Sequence, residues 1–113
     1  MKKSEIKLLV ELDADNIPSK ITWDADDKDT PGPLETNAIN LNIWDHENRN
    51  TLRIDLWTKD MPVDEMKRFF IDTVGGLAQS ILNSTGDEYM AAETNELCDR
   101  LVQYLKEEEK KGS

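Results

Sequence analysis

The sequence predicts an α+β fold of two layers, in which a four-stranded antiparallel sheet is followed by two helices that pack on one face of it. Residues 37–44 and 51–58 alternate apolar and polar side chains, with the period of two that is typical of half-buried antiparallel strands. Apolar side chains then recur every three or four residues, which is typical of amphipathic helices. A chain of 113 residues is expected to form one domain, spanning 1–113.

The first third of the chain predicts two strands and an acidic loop. Residues 5–12 alternate apolar and polar side chains and predict the first strand. A turn ending at Pro18 separates it from a short second strand over 20–25. Residues 24–36 contain four aspartates and the segment Pro31-Gly32-Pro33, so we expect a polar loop there.

The third and fourth strands are expected to form a hairpin around residues 45–50. A register in which paired residue numbers sum to 95 keeps both faces consistent. It places Trp44 opposite Thr51, Asn42 opposite Arg53, Asn40 opposite Asp55, and Ala38 opposite Trp57. The other face carries only Ile39, Leu41, Ile43, Leu52, Ile54 and Leu56, and we expect it to lie in the core.

Two helices complete the predicted fold. Asp60 is the expected N-cap of the first, with Pro62 in the first turn and Gly75-Gly76 inside the helix. Residues 85–88 have the spacing of a capping box and predict the start of the second helix, which frays into the tail 107–113. The buried stripes are Val63, Met66, Phe70, Val74, Leu77 and Ile81 in the first helix, and Met90, Leu97, Leu101, Tyr104 and Leu105 in the second.

Composition excludes several classes of partner. The net charge of −10 argues against nucleic acid and against an anionic membrane surface, because both require a basic patch. No run approaches the roughly 18 apolar residues of a membrane-spanning helix, and no secretory signal is evident. Cys98 is the single cysteine and permits no intrachain disulfide, which favours a cytoplasmic location.

The residues that could carry chemistry do not form a catalytic or metal-binding pattern. Asp13, Asp15 and Asp24 occupy positions one, three and twelve of a calcium-loop window, but Ile17 and Pro18 stand where an oxygen ligand and a glycine are required. A second window, 24–35, fails in the same way. His46 is predicted to be an exposed turn residue, Cys98 a packed thiol, and Gly75-Gly76 a site of close helix packing, not a phosphate loop. We therefore expect no enzyme activity, no cofactor and no metal.

The polar face of the hairpin is the strongest candidate site. It carries Trp44, Arg53, Asp55 and Trp57, and tryptophan and arginine are favoured as anchors of protein interfaces. The alternative is internal packing, with Trp57 under the acidic loop or a chain terminus and Trp44 over a sheet edge. The sequence leaves both interpretations open.

Three segments resemble the gliding-motility protein GldC family. They are Met1-Lys2-Lys3-Ser4-Glu5-Ile6-Lys7, Lys20-Ile21-Thr22-Trp23 and, most specifically, Thr51-Leu52-Arg53-Ile54-Asp55-Leu56-Trp57-Thr58-Lys59-Asp60-Met61-Pro62-Val63-Asp64-Glu65-Met66-Lys67. The resemblance implies a small cytoplasmic accessory protein of bacterial surface gliding. It implies no catalytic residues, cofactor or ligand.

These observations predict a non-enzymatic accessory or adaptor protein that acts through contacts with other proteins. We also expect a homo-oligomer, with a dimer favoured, because an open sheet face bearing tryptophans often self-associates. The alternative is a chaperone-like holder of client polypeptides, since four strands followed by two helices in a small acidic chain is also the layout of the SecB export chaperone. That comparison concerns architecture alone.

Overall fold

A computed structural model describes residues 2–112 of the chain. The chain divides into two compact units: residues 1–61 contain the strands, and residues 62–113 contain the helices. The strands are β1 (Ile6–Leu12), β2 (Pro18–Ala25), β3 (Leu34–Thr36), β4 (Ala38–Asp45) and β5 (Asn50–Trp57). The helices are α1 (Val63–Thr85) and α2 (Glu88–Lys111).

The strands form two antiparallel sheets. One sheet has the order β1-β2-β3, and the other consists of β4 and β5. The α+β class and the antiparallel pairing are thus confirmed, whereas the prediction of a single four-stranded sheet is wrong. The packing of both helices on one sheet face stays a prediction.

The division into two sheets originates at Asn37. β3 lies inside the segment expected to be a polar loop, and it pairs with β2 through Thr36 opposite Ile21. The chain bends at Asn37 and continues as β4, which pairs with β5 instead. The Thr36 hydroxyl accepts a hydrogen bond from the Ala38 amide at 3.4 Å, and the Asn37 carbonyl accepts one from the Thr58 amide at 2.9 Å. These bonds satisfy the backbone where the strand changes partner.

The centre of the three-stranded sheet holds the most buried large side chain of this unit. Ile21 lies in the middle strand, opposite Val10 on one side and Thr36 on the other, and it is completely inaccessible to solvent. In the next row of the same face, Trp23 lies between Leu8 and Leu34. The core of the strand unit is therefore centred on β2.

The β4–β5 hairpin has the register predicted from the sequence. All the predicted pairs form, from Trp44 opposite Thr51 to Ala38 opposite Trp57. Its apolar face, however, is far from buried: Ile43, Leu52 and Ile54 are each about half exposed. The alternation identified which side chains share a face but not how deeply that face is covered.

α1 begins at a different residue from the one predicted. Pro62 is the N-cap, in an extended conformation, and no side chain caps the helix. The predicted cap Asp60 instead accepts a hydrogen bond of 2.5 Å from the hydroxyl of Thr58, which is buried. Asp64 and Glu65 lie in the first turn, where they interact favourably with the helix dipole.

α2 also begins two residues later than the capping-box spacing predicts. Asp87 is the N-cap, and its carboxylate accepts a hydrogen bond of 2.9 Å from the Met90 amide. Thr85 is the last residue of α1, not a cap of α2. Gly86 ends α1 in the left-handed conformation at φ 72°, which glycine adopts without strain.

The two helices form an antiparallel hairpin. Close contact is possible because Ala78 and Ala91 are small and buried, and because Gly75 faces the Cys98 thiol. The Cys98 thiol also lies 3.6 Å from the Ile71 carbonyl oxygen. α2 continues as a helix to Lys111, through the segment expected to fray. There Glu108 and Glu109 pair with Lys67 at 3.0 Å and Arg68 at 3.3 Å, respectively.

Candidate protein-binding face

The β4–β5 hairpin brings the four predicted site residues onto one face. Alternate residues of a strand point to the same side, so Trp44 on β4 shares a face with Arg53, Asp55 and Trp57 on β5. Trp44 and Trp57 lie at opposite ends of the hairpin, six residues apart along the register, or about 20 Å. We call this surface the tryptophan face.

A chain of polar contacts connects the centre of the tryptophan face. The Nε atom of Arg53 lies 2.8 Å from Asp55 Oδ2, and Asn40 Nδ2 donates a hydrogen bond to the other oxygen of the same carboxylate. Asn42 Nδ2 in turn donates to Asn40 Oδ1 at 2.8 Å. The guanidinium is thus oriented although its side chain is 67% exposed. Such preorganisation lowers the entropy lost when a partner binds.

Both tryptophans are open to solvent. Trp44 is 62% exposed and Trp57 is 52% exposed. An indole buries a large apolar area on binding and can still donate a hydrogen bond from its N–H group, so exposed tryptophans are efficient interface anchors.

A shallow depression adjoins Trp57 at the edge of β5. Its volume is about 240 Å³, and it is lined by Ile17, Pro18, Asp55, Leu56 and Trp57. A space of this size can take one medium apolar side chain. The sequence predicted only that Ile17 and Pro18 lie in a turn. The one feature that could have indicated a role in binding is the presence of an isoleucine among polar turn residues.

The β1–β2 turn beside this depression is held by Asp13 and Lys59. Asp13 Oδ1 accepts hydrogen bonds from the amides of Asp15 at 2.8 Å and Ile17 at 3.0 Å, and its other oxygen lies 2.6 Å from Lys59 Nζ. The hydrogen bond from Lys59 is the main reason that the pKa of Asp13 lies below its ordinary value, with the Ile17 amide contributing next. The pair joins the turn to the segment that follows β5.

The turn of the hairpin beyond Trp44 is ordered by Asp45. Its carboxylate accepts hydrogen bonds from the Asn48 side chain at 2.8 Å and from the amides of Glu47 and Asn48. The Asn48 side chain is the main cause of the lowered pKa of Asp45. His46 lies exposed in this turn.

Two aspartates of the calcium-like windows pair with lysines. Asp13 pairs with Lys59, and Asp24 Oδ1 lies 2.9 Å from Lys28 Nζ. The Lys28 side chain is only 8% exposed and also donates to the Thr30 carbonyl, and its hydrogen bond to Asp24 lowers the pKa of that carboxyl. Within residues 2–112, no three His, Cys, Asp or Glu side chains converge as a metal site would require.

A comparison with protein-family models identifies the chain. Residues 18–107 match the model described as gliding motility-associated protein GldC-like. The chain belongs to the GldC-like family. The matched region contains all four residues of the tryptophan face. Neither the curated proteins nor the solved structures include a match to the chain.

Membership of the GldC-like family gives a cellular context, namely gliding motility. The family is described as motility-associated and not as an enzyme. Over residues 2–112, neither helix is long and apolar enough to cross a bilayer.

Proposed function

We propose that this GldC-like protein is a non-enzymatic accessory or adaptor protein of the gliding-motility system, working in the cytoplasm through contacts with other proteins. The partner binds the tryptophan face, with Trp44 and Trp57 as apolar anchors and the Arg53–Asp55 pair as the polar centre. The observation that carries this proposal is the exposure of both indoles on either side of an ordered polar network.

The chemistry of the face indicates what kind of partner fits it. Arg53 and Asp55 neutralise each other, so the centre of the face carries no net charge although the chain carries −10. The depression beside Trp57 accepts an apolar side chain, and the free N–H groups of Arg53 can bond carbonyl or carboxylate oxygens. A polypeptide with an apolar side chain flanked by hydrogen-bond acceptors meets both requirements.

The proposal is tested by the double variant Arg53→Ala/Trp57→Ala. Both side chains are more than half exposed, so we expect its melting temperature to stay close to that of the wild type. We expect the variant to lose the proteins that co-purify with the tagged wild-type chain from gliding cells. Tyr89→Ala/Arg100→Ala is the matched control, since it removes an exposed aromatic ring and an arginine from α2 instead.

Two outcomes would contradict the proposal. If Arg53→Ala and Trp57→Ala each unfold the protein, the tryptophan face is internal packing. If the double variant keeps its stability and every association that the control keeps, the face is ordinary surface, and the function must be sought in the acidic loop or the helices.

We also infer that the chain is a homo-oligomer, most simply a dimer. Among residues 2–112, the buried apolar residues are Ile21, Ala78 and Ala91. So small a core supports a protein whose folding is completed by association.

A holder of client polypeptides is the second candidate, because the helical hairpin carries an apolar groove. The groove has a volume of about 260 Å³, and its lining includes Phe70, Val74, Leu101 and Tyr104. A holder would suppress the aggregation of an unfolded model protein at equimolar ratio, whereas an adaptor would leave that aggregation unchanged. The assay separates the two functions without knowledge of the partner.

A further inference from the structure

The helical hairpin has one broad apolar face that is open to solvent. Val63, Phe70 and Leu77 follow one another at intervals of seven residues on α1, and Met90, Leu97 and Tyr104 do the same on α2. All six side chains belong to the stripes that the sequence predicts to be buried. That prediction is wrong for them, since they are between 41% and 72% exposed. A seven-residue interval keeps side chains on one side of a helix, as in coiled coils. We call these six residues the helical face.

The helical face is distinct from the side on which α1 and α2 contact each other. That contact runs through Gly75, Ala78, Ala91 and Cys98. The helical face lies beside this seam, and the groove between the two helices opens onto it. Each helix therefore carries more apolar residues than the contact between α1 and α2 buries.

The area of the helical face is at the lower end of the range that each partner buries in a stable dimer. From their exposed fractions, the six side chains present roughly 600 Å², against about 800 Å² that each partner buries in a standard interface. Half-buried neighbours such as Val74 and Leu101 add to this area. Apolar patches of this size on monomers are at the upper limit of what is usual.

The distribution of charge also favours self-association at this face. Lys67, which lines the groove, lies 3.0 Å from Glu108, and the two charges neutralise each other. The six residues of the helical face are all uncharged, so two copies can bring this face together without placing like charges in direct contact.

We propose that the helical face is a homodimer interface on which a second copy of the chain lays its own helical face, so that four helices enclose a common core. A two-fold axis requires a self-complementary surface, and this face supplies both projecting side chains, such as Leu77, and a groove that can receive them. Two helical hairpins stacked in this way form a four-helix bundle. The inference rests on the homo-oligomer proposed above. It assigns the interface of that oligomer to the helical face, in place of the predicted packing of these residues on a sheet.

The test measures the mass in solution by sedimentation at high micromolar concentration. We expect about 26 kDa for the wild type, twice the 13.0 kDa of one chain. In Leu77→Glu/Tyr104→Glu, carboxylates replace two apolar contacts, and we expect the dimer Kd to rise by at least about 100-fold. Tyr89→Glu/Ala92→Glu is the control: it adds the same charge at exposed positions near the start of α2, outside the helical face, and should remain dimeric.

Three results would overturn the proposal. The first is a wild-type chain that sediments at 13.0 kDa, which would leave the face to a different protein, a client polypeptide or the chain's own strands. The second is a dimer that persists in Leu77→Glu/Tyr104→Glu. If that variant instead loses its helical circular dichroism, Leu77→Ala replaces it in the test, because alanine is a good helix former. We expect Leu77→Ala to raise the dimer Kd about tenfold, and the third overturning result is a Kd that does not change.

The proposed adaptor function and this inference fail independently. Arg53→Ala/Trp57→Ala should remain dimeric while losing its partner. Leu77→Glu/Tyr104→Glu should lose the dimer whether or not the partner still binds. A dimer that dissociates only in the first variant would place the interface on the tryptophan face and contradict the present inference.

Discussion

Truncation of two isoleucines in different sheets tests how the strand unit distributes its stability. Ile21 is completely buried in the middle of β2, whereas Ile54 on β5 is 48% exposed. Ile21→Ala removes buried methyl groups and leaves a cavity, so we expect a loss of about 3–4 kcal/mol of unfolding free energy. Ile54→Ala loses about half of a side-chain burial and leaves no closed cavity, so we expect about 1 kcal/mol.

These free energies correspond to large differences in thermal stability. For a domain of this size, 1 kcal/mol shifts the melting temperature by about 4 °C, so Ile21→Ala should melt about 12–16 °C below the wild type and Ile54→Ala about 4 °C below it. The measurement is thermal unfolding followed by circular dichroism, with all variants at one protein concentration. Ile21→Val is the control for burial and should cost only about 1 kcal/mol.

The comparison between the two alanine variants decides the result. Equal losses for Ile21→Ala and Ile54→Ala would mean that the apolar face of the β4–β5 hairpin is covered in solution. A loss below about 1 kcal/mol for Ile21→Ala would mean that β2 is not the centre of the core. Either outcome refutes the reasoning from burial.

Three further predictions concern two glycines, the cap of α2 and the Asp13–Lys59 ion pair. Gly76→Ala should raise the unfolding free energy by about 0.5–1 kcal/mol, since Gly76 lies inside α1 and an added Cβ meets no atom within 4 Å. Gly86→Ala should lower the unfolding free energy by about 1 kcal/mol, because Gly86 has a positive φ. Urea titration of both variants measures the two changes. Asp87→Ala removes the α2 N-cap and should cost about 1 kcal/mol by the same assay. Lys59 lowers the pKa of Asp13 in the folded chain. The Asp13 carboxylate therefore stabilises the fold fully above its ordinary pKa of 3.8, and this stabilisation is lost as the pH falls through the lower pKa of the folded state. The difference in melting temperature between wild type and Asp13→Asn should be largest near pH 6 and should disappear in strong acid.

The sequence allowed the hairpin register to be predicted because two strands with the same alternation have only one pairing that keeps both faces consistent. It did not predict β3, because Leu34–Thr36 is too short for a periodic signal and follows a Pro-Gly-Pro segment. The prediction that Asp60 caps α1 was wrong, because its carboxylate accepts a hydrogen bond from Thr58, which is buried directly after β5. A buried neighbour of this kind leaves no mark in the local sequence.

The candidate site shows the same limit. The tryptophan face follows directly from alternation, so its four residues could be named in advance. The Asp13–Lys59 pair and the depression at Ile17 join segments more than 35 residues apart in the chain, and no local pattern connects them. Periodicity also identifies which side chains share a face but not what covers it, which is why the exposure of Ile54 could not be predicted.

The bend at Asn37 restricts which changes in chain length the protein can accept. β3 and β4 are nearly one strand, so the register with β2, set at Thr36, and the register with β5, set at Ala38, are fixed two residues apart. An inserted or deleted residue between these positions would shift one sheet against its partner and turn its side chains to the wrong face. Residues 26–33, which lie outside the strands, are free of this restriction, so natural variation in length should concentrate there.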